Sequence, residues 1–349
     1  MTAAARDRLE GLWARGRAFL GVDLPIMGGA MTWVSERNLV AAITNAGGFG
    51  VIACGSMEPE RLREEIRATR ALTRGPFGVN LIVMHPGLLA LARVCLDERV
   101  SHVVLAGGLP PRDCLDLLRG GPCRVLAFAP ALAVARKLRR SGIDGLVIEG
   151  SEAGGHIGAV STSVLAQEIL PHMGELPVFV AGGIGRGEAM LAYLEMGAAG
   201  VQLGTRFVCA SESIAHPRLK QAYLRAAARD AVPSPQLDPR FPVIPVRALA
   251  NAGTARFIEV QRGVIARFDR GELTREQAQL AIEHFWAGAL RRAVIDGDVE
   301  NGSLMAGQSV GLVTREQPVR EIMDELLAQA LANIRPPAGD APPVRGTVT

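Results

Sequence analysis

Aromatic residues are scarce in this chain. Only 4% of its 349 residues are Phe, Trp or Tyr, so any core must be built from aliphatic side chains. No apolar run approaches the roughly 18 residues that a membrane-crossing helix needs. The stretch Met1 to Gly21 mixes Arg and Glu without an apolar centre, so no secretory signal is expected. Five cysteines, at 54, 95, 114, 123 and 209, show no CxxC or other ligand spacing. That odd, unpaired set fits a reducing compartment, and a cytoplasmic location is expected. HxH and HExxH are missing, so no metal site is expected. Charge of either sign is not in large excess: the net value is +3. The basic group Arg136, Lys137, Arg139 and Arg140 has no aromatic residue beside it and reads as a solvated helix end, with no nucleic-acid partner expected. A G-x-G-x-x-G fingerprint is also lacking. The first turn reads Met27-Gly28-Gly29-Ala30-Met31-Thr32, which removes the main sign of a doubly wound dinucleotide fold.

What the chain does have is aliphatic and glycine-rich: 48% hydrophobic residues and 40 glycines. Short, continuous apolar runs recur at Leu24–Met27, Phe49–Ala53, Phe77–Ile82, Ser101–Leu105, Cys123–Phe128, Gly145–Glu149, Val178–Ala181 and Gly200–Leu203. Continuous rather than alternating runs fit parallel strands covered on both faces. Between them lies helical spacing, as in Leu62, Ile66 and Thr69, or Leu132, Ala135 and Leu138. Eight such units predict a TIM (β/α)8 barrel. The pattern changes after Ala210: Pro217–Ala231 and Thr274–Val294 read as helices around a Pro-rich stretch from Pro233 to Pro245. The expected organisation is a barrel over 1–209 and 297–335, a helical lid insertion over 210–296 after the eighth strand, and a disordered tail over 336–349. A closing helix is expected at Val319–Ile334.

The glycines cluster where barrels keep their chemistry, at the C-terminal ends of strands. The sixth run leads into Glu149-Gly150-Ser151-Glu152-Ala153-Gly154-Gly155-His156-Ile157-Gly158. A histidine in such a loop can take or give a proton near neutral pH. The seventh and eighth runs end in Ala181-Gly182-Gly183-Ile184-Gly185 and Gln202-Leu203-Gly204-Thr205-Arg206, the two positions where barrels commonly bind phosphate through backbone N–H groups. Asn80 and Gln202 place amides inside apolar strands, and such groups need partners. A phosphorylated flat heterocycle such as flavin mononucleotide (FMN) satisfies both features. A sugar phosphate or another phosphorylated metabolite stays open on these grounds.

The histidine loop resembles the signature of nitronate monooxygenases, formerly 2-nitropropane dioxygenases. It is equally similar to that of the FMN-dependent enoyl-acyl-carrier-protein reductases of type II. Further matches are Asn45-Ala46-Gly47-Gly48-Phe49-Gly50, Pro76-Phe77-Gly78-Val79-Asn80, Ala181-Gly182-Gly183-Ile184, Gln202-Leu203-Gly204-Thr205-Arg206-Phe207 and Gly302-Ser303-Leu304-Met305-Ala306-Gly307-Gln308. The resemblance implies FMN contacts at Gly28, Gly29, Ala30, Met31, Asn80, Glu149, Gly154, Gly155, Gly182, Gly183, Gln202, Gly204, Thr205, Met305 and Gln308, with His156 catalytic. It implies a nitronate oxidised with O2 or, as the alternative, an enoyl thioester reduced with NAD(P)H. A homodimer is one assembly open to such a chain. Two positions depart from the family pattern. Gly28 stands where many members carry Gln, and Leu105-Ala106-Gly107-Gly108 ends the fourth strand where members usually have Thr-Gly.

Overall fold

The computed structural model describes residues 3–241, 245–286 and 288–334. The expected disordered tail at 336–349 lies outside the described residues, as does part of the Pro-rich stretch. The strands in chain order are β1 (Ile26–Gly28), β2 (Val51–Ala53), β3 (Gly78–Ile82), β4 (His102–Ala106), β5 (Arg124–Phe128), β6 (Gly145–Glu149), β7 (Gly155–His156), β8 (Val178–Ala181), β9 (Gly200–Leu203), β10 (Ala231–Pro233) and β11 (Val246–Leu249). Eight of these form one parallel sheet in the order β1-β9-β8-β6-β5-β4-β3-β2. Phe49, just ahead of β2, closes the ring onto β1. Its N–H donates to Ile26 O, and the Gly28 N–H donates to Phe49 O, both at 2.9 Å. The fold is therefore the TIM barrel expected from the eight apolar runs.

The period of two along each strand sorts side chains between two layers. Val147 of β6 points inward, among Met27, Phe49, Val104, Leu126 and Phe179. Its neighbours Leu146 and Ile148 point outward, into the larger aliphatic layer beneath the helices. The same alternation aims Glu149 inward at the top of β6. It likewise aims Asn80 of β3 and Gln202 of β9 into the barrel.

Helices fill the outer layer much as the spacing predicts. Leu62, Ile66 and Thr69 are buried on the helix Pro59–Leu72, and Ala135 and Leu138 on Leu132–Arg140. Arg136, Lys137, Arg139 and Arg140 are exposed at the latter's end. The closing helix runs Val319–Asn333. An additional helix, Ala3–Leu20, buries Trp13, Phe19 and Leu20, and Phe19 and Leu20 pack into the lower interior of the barrel.

The segment after β9 differs from the expectation of helices alone. The helix from Pro217 stops at Arg225, because Ala226 and Ala227 turn to extended backbone. Ala231 then begins β10, which pairs antiparallel with β11. A long helix, Ala252–Asp269, follows, capped by Asn251. The last helical stretch is split into Arg275–His284 and Ala289–Val294, with Gly288 at φ +72° between them. Phe241, Phe257, Val264, Ala278 and Ile282 give this part a small core of its own. Among the described residues no helix is long and apolar enough to cross a membrane.

Candidate active site

A cavity of about 830 Å3 opens at the C-terminal ends of the barrel strands. Asn80, Glu149 and Gln202 reach it from the barrel interior. Pairing places Glu149 beside Ala181, and Ala181 beside Gln202, so the acid and the amide stand at one level, two strands apart. Asn80 is buried, and its Nδ2 donates to Val104 O at 3.0 Å. Its Oδ1 takes no bond from the protein among the described residues, nor does the amide of Gln202. Both therefore keep capacity for a ligand. On the β3–β5 side the wall is apolar, from Ile82, Met84, Leu109, Phe128 and Val134.

His156 also lines the cavity, though not from a free loop. With Gly155 it forms β7, whose antiparallel partners are Arg247 and Val246 of β11. Gly155 sits at φ +78°, a conformation that suits glycine. Gly154 lies against a second loop: a Cβ there would stand 2.6 Å from the Gly307 N. The missing side chain at 154 thus serves close packing of two backbones. The second loop is held in turn by Thr205, whose Oγ1 accepts from the Gly307 N–H at 2.9 Å, and by the Tyr223 hydroxyl, which donates to Met305 O.

Of the residues the sequence singles out, the cavity brings together Gly29, Ala30, Met31, Asn80, Glu149, Gly154, Gly155, His156, Gly182, Gly183, Gln202, Gly204, Thr205 and Met305. Two are placed elsewhere. Gly28 has the outward parity of Ile26, and a Cβ on it would meet Ile43 Cδ1 at 2.5 Å. It therefore faces the helix layer, where a larger residue would need repacking. Gln308 lines a smaller neighbouring cavity of about 350 Å3, which shares Gly182 and Gly183 with the main one. Its backbone N–H is held by Glu152 O at 2.9 Å. Sequence reasoning did not single out Tyr223, Leu219, Leu290 and Val294, which enter the cavity wall from beyond β9. Nor did it find Arg247. Each lies far along the chain from the glycine motifs, and no local pattern marks it.

The electrostatics follow from burial. Glu149 faces the cavity with no hydrogen-bond partner among the described residues, and desolvation alone pushes its carboxyl up to about 8. The carboxyl is then largely protonated at neutral pH. His156 is an exposed residue at the cavity mouth, and the protein packed around it still lowers its pKa below the ordinary value of 6.5 through desolvation. A neutral imidazole with no bonded partner among the described residues is available to accept a proton. Among the described residues no group of three or more His, Cys, Asp or Glu is arranged to hold a metal ion.

A barrel with an apolar cavity, a glycine-lined rim and one neutral histidine defines a class of small-molecule enzymes. Comparison with known proteins narrows it. The sequence profile of the nitronate monooxygenase family matches residues 15–94 and 88–329, and this chain belongs to that family. It is an oxidoreductase. A nitronate monooxygenase of Pseudomonas aeruginosa is 34% identical over 250 residues, covering 58% of this chain and 71% of the relative. A (3aS,4S,5R,7aS)-5-hydroxy-7a-methyl-1-oxo-octahydro-1H-indene-4-carboxyl-CoA dehydrogenase of Mycobacterium tuberculosis is 29% identical, covering 90% of this chain and 95% of the relative. Among solved structures, FabK of Thermotoga maritima superposes with a TM-score of 0.81 at 35% identity, over 90% of this chain and 95% of the other. A nitroalkane oxidase of Streptomyces ansochromogenes gives 0.74 at 27% identity, over 91% and 98%.

Proposed function

We propose that this protein is an FMN-dependent nitronate monooxygenase, which oxidises nitroalkanes or their nitronates with O2, and that His156 is its base. One observation carries the reading: an imidazole of lowered pKa, with no hydrogen-bond partner among the described residues, opens onto an apolar cavity. A base of this kind takes the proton from the carbon that bears a nitro group, and its ring nitrogen holds that proton. The low-dielectric wall favours the uncharged imidazole before the substrate arrives. Glu149, protonated at the cavity floor, offers a hydrogen bond without adding a negative charge near the anionic nitronate.

The residues present fit FMN. Asn80 and Gln202 present unused amide atoms to a flat heterocycle, and the turn of Gly182 and Gly183, at φ +99° and +72°, lines the rim beside Gly204 and Thr205, where backbone N–H groups would take a phosphate. FMN supplies the electron-accepting ring that the chain itself lacks. The segment 210–296 contributes Leu219, Tyr223, Leu290 and Val294 to the wall, which supports its role as a lid over the barrel mouth.

A second reading has its own support. The apolar β3–β5 side is roomy for a small nitroalkane, and one relative is named as a dehydrogenase of a carboxyl-CoA. An acyl-thioester oxidoreductase that uses NAD(P)H fits that wall. Anaerobic mixing of the purified yellow protein separates the two readings. Bleaching by a nitronate supports the monooxygenase. Bleaching by NADH or NADPH, with none by nitronate, overturns it in favour of the reductase. Heat release and mass analysis of the cofactor should give FMN, and FAD in its place would sink the cofactor assignment.

A further inference from the structure

The strand that holds the histidine comes from the insertion. β11 pairs with β7 on one side and with β10 on the other. At its end, the Leu249 N–H donates to Leu304 O at 2.9 Å, one residue before Met305 of the cavity wall. β11 also carries a buried charge, Arg247, whose residue is only 8% exposed. Its guanidinium reaches across the small sheet. Nε donates to Ser151 O at 2.8 Å, and Nη1 donates to Ala231 O. Ser151 lies between β6 and β7, so one cation links the entry of the histidine ribbon to the far strand. Burial of a guanidinium carries a desolvation penalty, as burial of any ion does. Desolvation lowers its pKa, and attraction to Glu152 offsets part of that effect. An apolar side chain would fill the same space without the penalty. Two backbone carbonyls in separate segments, one in a turn and one in a strand, call for the rigid donor fork that Arg supplies and Lys does not.

We infer that Arg247 is a positioning residue for His156: its guanidinium fixes the Ser151–His156 segment against the insertion and presents the imidazole to the cavity in one arrangement. The inference rests on the reading of His156 as the base. It makes β11 a working part of the site, so that displacement of the insertion displaces the histidine. Of the other ionisable groups nearby, Glu149 and Tyr223 line the same cavity and Glu152 acts on Arg247. The imidazole's own shift comes from desolvation, so its titration reports how tightly the ribbon is held.

The test uses the full chain with Arg247→Met and Arg247→Lys, each checked for folding by circular dichroism and melting. Modification of His156 by diethyl pyrocarbonate, followed across pH by mass spectrometry of its peptide, reads the imidazole in cofactor-free protein. The wild-type half-point should lie below the free histidine value of about 6.5. In Arg247→Met it should rise to about 6.5, as the loosened ribbon hydrates. Arg247→Lys keeps the charge but not the fork, and should fall between. In the loaded enzyme, kcat should drop by about 10- to 100-fold, with KM changed by less than about threefold, as misplacement of a reacting group predicts. A wild-type modification profile in folded variants overturns the inference, even if activity falls with the folded fraction. If Arg247→Met does not fold, Arg247→Lys and Arg247→Gln carry the same test. Should His156→Ala keep full turnover, the base assignment fails, while the modification profile still decides whether Arg247 holds the ribbon.

Discussion

Two histidines stand at opposite ends of the barrel, and desolvation lowers the pKa of both, although His102 is buried and His156 is exposed. His102 opens β4 at the bottom and is 4% exposed. Its Nε2 lies 3.0 Å from Phe19 O and its Nδ1 3.0 Å from Ser101 Oγ. The rings of Phe19 and Phe49 pack edge-on at 5.2 and 4.8 Å. His156 stands at the top, with neither ring nitrogen bonded among the described residues. The sign of the shift is thus the same at both ends, and what differs is satisfaction. At the bottom every polar atom of the ring is spent on structure. At the top the ring keeps capacity that solvent or a ligand can use. A perturbed pKa alone does not mark a functional residue; under the proposed function it is the unspent hydrogen-bonding atoms facing the cavity that set His156 apart.

The glycines of β9 repeat the contrast within a single strand. Gly200 begins it, and a Cβ there would stand 2.2 Å from Pro25 O. Gly204 follows its last residue, and a Cβ there would make an ordinary contact with Met31 Sδ at 3.5 Å. One glycine is required by the fold. The other is tolerant of a side chain until something occupies the cavity.

The strongest way to break this comparison is His156→Ala. Turnover should fall by about 10²–10⁴, as loss of a positioned acid–base group does, while the flavin stays bound. The defect should be larger with neutral nitroalkane than with preformed nitronate, because only the former must lose a proton. Steady-state rates on both substrates decide this, and unchanged rates on both would remove the histidine from the chemistry.

The bottom histidine should instead appear in stability. Its folded pKa is lowered from 6.5 to about 4. The unfolded chain therefore binds more protons between those values. The contribution of His102 is intact above pH 6.5 and is lost as pH falls through 4, a change of about 3 kcal/mol. Urea unfolding of the wild type and His102→Leu at pH 7.5 and 4 should show this as the difference between their pH dependences. Equal dependences would mean that His102 does not titrate as its burial requires.

The paired glycines give a smaller, double readout. Gly200→Ala should cost about 1–3 kcal/mol of stability through overpacking. Gly204→Val should leave melting nearly unchanged and weaken FMN binding by about tenfold or more, equivalent to roughly 1.4 kcal/mol. Flavin titration together with melting curves tests both. Wild-type flavin affinity in Gly204→Val would remove the phosphate from that turn.

The smallest expected effect concerns the insertion. Amides between Ser234 and Phe241 should exchange more slowly once a substrate analogue binds, because that stretch joins β10 to β11 with few buried side chains. Equal exchange with and without ligand would make the insertion a rigid wall rather than a lid.

Much of this arrangement was legible in the sequence. The eight apolar runs mark the barrel strands, and the alternation along them already turns Glu149, Asn80 and Gln202 inward. The same alternation turns Gly28 outward, and reading its parity from Ile26 would have separated it from Gly29. The helix Ala252–Asp269 does carry a helical period, in Phe257, Val260, Val264 and Phe268, that went unread. The strands β10 and β11 were not legible, because they are short and flank a Pro-rich stretch.

The sequence by itself determined the barrel, the level at which polar side chains interrupt its core, and the glycine turns on its rim. Each of these is written in a local period or in a local conformational need. Only the tertiary structure decided that His156 lies on a strand paired to Val246, that Arg247 spans from Ser151 to Ala231, and that the helix Ala3–Leu20 plugs the far end with Phe19. Those contacts join segments far apart in the chain. A two-residue strand such as Gly155–His156 has too few residues to carry a pattern, so its partner is chosen by what the folded barrel brings within hydrogen-bonding reach.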